Sequence, residues 1–125
     1  MTPIQKIKHL IILRHFELAG EAPPAPINSE TVDSIYDDLE DPWDAISEVR
    51  YGEYVTSISP DYSRHYESKS VAAKLPDGSF VGWTYWYGGG KHGEPEAIDW
   101  IDEAYDLTVT EEQKLVTVRT WRRAQ

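Results

Sequence analysis

Apolar residues recur at helical spacing in the first part of the chain and alternate with polar ones further on. Ile4, Ile7, Ile11 and Leu18 share one face of a helix that can start at Pro3, with Thr2 as its cap. Leu13 and Phe16 lie on another face, with Ile12 beside Phe16. A helix that is apolar on more than one side wants cover on more than one side. It is therefore expected to be sandwiched inside the domain, and a homodimer through this N-terminal helix is the alternative. Gly20 and the prolines at 23, 24 and 26 end it in an extended connector, because proline lacks the amide proton and restricts its predecessor. Asn28 or Ser29 caps a second helix with the stripe Val32, Ile35, Tyr36 and Leu39. A third restarts at Asp41-Pro42, with Asp41 as cap, Asp44 three residues on in an acidic capping box, Trp43, Ile46 and Val49 on the buried side, and Gly52 as the stop.

The period then changes. Tyr54–Ile58 reads as a short edge strand. From Glu67, Val71, Ala73 and Leu75 alternate with Ser70, Ala72 and Lys74, and Pro76-Asp77-Gly78 is a strong hairpin turn. The returning strand, Phe80 to Tyr87, holds two of the five tryptophans. Val81, Trp83, Tyr85 and Tyr87 occupy one side of it, and Phe80, Thr84 and Trp86 the other. Glu94 to Tyr105 reads as a fourth helix with Pro95 in its first turn, lined inside by Ile98, Ile101 and Tyr105. Leu115 to Trp121, rich in β-branched residues, reads as the last strand. The expected architecture over residues 1–125 is one α+β domain, in the order ααα-ββ-α-β, with helices on one face of a mostly antiparallel sheet.

Length supports this reading, since 125 residues can bury a core without cross-links. The chain has no cysteine, which excludes disulfides and thiolate metal sites and fits a reducing, cytoplasmic setting. No signal peptide is expected, because the Leu10–Leu13 run is flanked by His9, Arg14 and His15. Nothing approaches the ~20 apolar residues of a membrane span.

Charge changes the picture more. The formal net charge is −10, which disfavours nucleic-acid phosphates as a partner. The acids are also gathered. Residues 28–48 and 94–112 each hold eight of the 22 acids and no Lys or Arg. On the second predicted helix these include Asp37 and Asp38. On the fourth, Trp100 would point away from Ile98 and Ile101 and lie among Glu96, Asp99 and Glu103. An aromatic anchor ringed by carboxylates suits a basic protein surface.

The chemistry-bearing stretch is Gly88-Gly89-Gly90-Lys91-His92-Gly93, between a strand and a predicted helix. It departs from a phosphate-binding loop, in which Ser or Thr follows the lysine, and Glu94 and Glu96 would repel a phosphate. A small-molecule module or minor enzyme would instead draw on Trp83, Tyr85, Tyr87, Lys91 and His92. His9, His15, His65 and His92 show no metal-ligand spacing, and no nucleophile elbow is present, so neither a cofactor, a metal nor catalysis is expected.

The run Tyr85-Trp86-Tyr87-Gly88-Gly89-Gly90-Lys91-His92-Gly93-Glu94-Pro95-Glu96 resembles that of small uncharacterised acidic proteins of bacteria and their phages. The resemblance implies a bacterial or prophage origin and carries no activity with it. The expectation is a non-enzymatic interaction or regulatory protein whose acidic helices meet a basic partner.

Overall fold

The computed structural model describes residues 1–124. Three helices precede a four-stranded sheet: α1 Pro3–Ala19, α2 Val32–Asp37, α3 Trp43–Arg50, β1 Tyr54–Val55, β2 Glu67–Lys74, β3 Phe80–Tyr87 and β4 Tyr105–Leu107. The strands lie in sequence order and every pairing is antiparallel. The fold is α+β, as the periodicities imply.

Local chemistry accounts for most boundaries. The Thr2 hydroxyl accepts from the Gln5 amide at 3.2 Å, and the Gln5 side-chain carbonyl accepts from the Thr2 amide at 2.9 Å. This reciprocal box satisfies two orphan donors. Gly20 closes α1 at φ 70°, a left-handed conformation that glycine adopts at little steric cost. The turn into α2 is organised by Asn28, whose side-chain oxygen accepts from the Glu30 and Thr31 amides at 2.9 and 3.1 Å. The Pro76–Gly78 turn joins β2 to β3 in a register that sets Val71 opposite Trp83 and Ala73 opposite Val81.

Four expectations need correction. Asp41 does not cap α3: its backbone is left-handed at φ 51°, whereas a cap is extended, and Pro42 takes the cap position without a side-chain bond. Trp43 is 69% exposed. The covered side of α3 is centred on Ala45, Ile46, Val49 and Arg50, and Trp43 falls roughly 200° around the axis from Ala45.

The fourth helix does not form. Only a single 3-10 turn, Pro95–Ala97, stands there, and Ile98 is already extended at ψ 130°. In a helix Glu96–Asp99, Asp99–Glu103 and Asp102–Asp106 would stack like charges at three- and four-residue spacing. Aspartates also compete for their own backbone: Asp99 accepts from the Asp102 amide at 3.3 Å and bends the chain there. The last strand does not form either. Residues 108–124 carry no regular secondary structure, and Leu115, Val116, Val118 and Trp121 are exposed. β-propensity expresses itself only against a neighbouring strand, and no strand of the sheet pairs with them.

The core lies between α1, α3 and the helix-facing side of β2 and β3. Ile7, Ile11, Ala45, Val71, Ala73, Leu75, Val81, Trp83 and Trp100 form one buried cluster. The helix thus spends Ile7, Ile11 and also Ile12 inside the molecule, while Leu18 stays half in solvent. On the opposite face of the sheet Ser70, Ala72, Thr84 and Trp86 are buried as well. The aromatic strand is therefore covered on both sides along its centre.

Candidate functional site

Trp83 is the pivot of the sheet. It is fully buried, its ring meets Trp100 with centroids 5.3 Å apart, and its indole N–H donates to the Arg50 carbonyl at 2.9 Å. Arg50, in the last turn of α3, is buried too. Its guanidinium donates to the Trp86 carbonyl and lies 4.6 Å above the Tyr85 ring. These two bonds, one donated from each element, tie α3 to β3. Nothing in the apolar periodicity marks Arg50 for this role, since an arginine in a last helical turn is ordinarily read as solvated.

Trp100, expected as an exposed anchor, is only 4% exposed. Without a helix, the chain from Ile98 to Ala104 runs close to the sheet, and Trp100, Ile101 and Ala104 all turn into the core. It holds the acidic segment in place and offers no area to a partner.

The residues drawn on for a small-molecule site have different surroundings. Trp83 is core. Tyr85 and Tyr87 stack with centroids 5.6 Å apart beneath Lys69, whose ammonium is 5.4 Å from the first ring and 5.9 Å from the second. Lys91 lines an open groove of about 520 Å³ with Tyr66, Gly90, Gly93, Glu94, Ala97 and Ile98. Tyr66 packs against the glycine run so closely that a Cβ on Gly89 would meet its ring at 2.6 Å. The backbone of His92 belongs to the 3-10 turn Gly90–His92, and its side chain lies outside the described residues. Among the described residues no group of acids and histidines has the arrangement of a metal site. No described helix is long and apolar enough to cross a membrane.

The acids are redistributed by the fold. Each cation of α1 reaches an acid on a different element. Lys6 pairs with Asp106 of β4 at 2.7 Å, Lys8 with Asp33 of α2 at 3.0 Å, and Arg14 with Glu48 of α3. Hydrogen bonds from Lys8 and then from Gln5 hold the Asp33 carboxyl below its ordinary range. The Lys8 ammonium also lies 5.3 Å over the Tyr36 ring, and its field reaches Asp102. So Asp33 of the first acidic window and Asp106 of the second both lie beside the Lys6–Lys8 stretch of α1. In the second window Asp99 pushes the Asp102 carboxyl up, first by a side-chain hydrogen bond and then by like-charge repulsion. Asp37, Asp38, Glu96, Asp99 and Glu103 are exposed, and none joins an ion pair among the described residues.

These features define an α+β protein with exposed carboxylates on α2 and on residues 96–103. No protein-family model matches the chain. No curated protein matches it significantly, and neither does any solved structure.

Proposed function

We propose that this is a non-enzymatic interaction or regulatory protein that binds a basic protein surface through the flank formed by α2 and residues 96–103. The observation that carries the reading is the position of Lys8. It bonds Asp33 of the first acidic window, and two residues earlier Lys6 pairs with Asp106 of the second, so each window sets an acid beside this stretch of α1. Two lysines offset little of the charge that the windows carry. Asp37, Asp38, Glu96, Asp99 and Glu103 remain to attract cations, and Asp99 against Asp102 is a repulsion that an incoming Lys or Arg would relieve. Trp100 contributes by fixing the backbone of this flank from beneath. The lack of cysteine and the resemblance to acidic phage and bacterial proteins favour a cytoplasmic setting and a host protein as partner.

The test is capture of basic proteins from a bacterial lysate at low salt, repeated with the triple variant Asp37→Lys, Asp38→Lys, Glu103→Lys. The partner should be lost in the variant. It should also be lost from the native chain near 1 M salt, where screening acts within about 3 Å. Binding that is indifferent to both would overturn the proposal.

A further inference from the structure

The C-terminal segment has a chemistry opposite to that of the rest of the chain. All 22 acids lie before residue 113, while Lys114, Arg119, Arg122 and Arg123 lie after it. Between these cations stand Leu115, Val116, Val118 and Trp121, and the last of them is 85% exposed. A run that alternates β-branched and polar residues, carries an indole and is left in solvent has the composition of a strand without a sheet.

The sheet offers a place for one. Its edges are β1 and β4. Between them, across Ala72 and Phe80, runs an apolar groove of about 380 Å³, walled by Tyr54–Ile58 on one side and Leu107–Glu111 on the other. Tyr54, Val55 and Ile58 are exposed along it, and its one charged lining residue is Glu111. Glu53 and Glu112 adjoin its two walls in sequence.

We infer that residues 114–121 of one copy of this chain lie across the Tyr54–Glu111 groove of a second copy, seating Leu115, Val116, Val118 or Trp121 in it, with the exchange reciprocal across a two-fold axis. Three features select a second copy as occupant. The segment leaves the molecule from the wall of its own groove, at Glu111, so the wall and the segment are one continuous strip. In the single chain both groove and segment are open. The tail's four cations and no acid oppose a body in which acids predominate, so each copy attracts the other's tail while the bodies repel. A reciprocal exchange closes both openings with one symmetric contact.

Sedimentation of the full chain over a range of concentrations, with two variants on opposite sides of the contact, tests this. Val116→Asp with Val118→Asp changes only the exposed tail, and Val55→Lys only the exposed groove wall, so neither disturbs the core. The native chain should reach the mass of two subunits. Each variant should associate more weakly by roughly tenfold or more, because a charge is placed in the contact. An equimolar mixture of the two variants should recover a heterodimer, since one intact tail then meets one intact groove. A native chain that stays a monomer, variants that dimerise as well as the native chain, or amides of 115–121 protected from exchange in a monomer would each overturn the inference. The last would place the tail on its own body.

Discussion

Gly82 shows how closely this sheet is built. A Cβ there would lie 2.6 Å from the Tyr105 ring and 2.9 Å from Leu107, both on the neighbouring β4. Gly82→Ala is expected to destabilise the fold by about 1–3 kcal/mol through overpacking, measured by urea unfolding. Trp83→Phe removes the indole N–H from the Arg50 carbonyl and leaves a void beside Trp100. Its expected cost is about 2–3 kcal/mol, with the larger part from lost volume. The Asp99–Asp102 pair makes a prediction with a definite sign. A carboxyl whose folded pKa is raised binds its proton more tightly in the native state, so its contribution to stability falls as pH rises through that value. Asp99→Asn should return Asp102 toward 3.8 and flatten this fall, read by carbon-detected titration and by thermal unfolding on either side of pH 4. Asp33 carries the opposite sign: its pKa is depressed, so its contribution is present above 3.8 and is lost on acidification through the lower folded value.

At the scale of elements, what holds is what local bonds determine. The Thr2–Gln5 box starts α1, and Thr2→Ala should cost about 1 kcal/mol without altering the fold, seen as a shift in urea midpoint at unchanged slope. The β2–β3 hairpin follows from its turn and its alternation. Residues 94–105 fail as a helix because Glu96, Asp99, Asp102, Glu103 and Asp106 would repel along it and because Trp100 is drawn into the core. Apolar residues three and four apart here mark a segment that winds irregularly across a tryptophan. The exposed tail fails as a strand for a different reason, since its pattern is sound and a neighbour is missing.

At the scale of the molecule, the five tryptophans divide by environment. Trp83, Trp86 and Trp100 are buried, and Trp43 and Trp121 are exposed. In dilute solution acrylamide should quench two populations, and Trp43→Phe with Trp121→Phe should abolish the accessible one. An accessible fraction that survives both changes would contradict the two-sided cover of β3. The amino-acid order alone determined the α+β class, the first helix with both its ends and the central hairpin, because these rest on bonds and periodicities spanning a few residues. It also contained the two acidic windows as compositions. Only the tertiary structure decided that an acid of each window pairs with α1, that Arg50 is spent inside, that Trp100 is core and that residues 115–121 lie outside the sheet. Each of these depends on which distant surfaces meet, and a cation or an indole has the same local signature whether it ends in solvent or beneath another part of the chain.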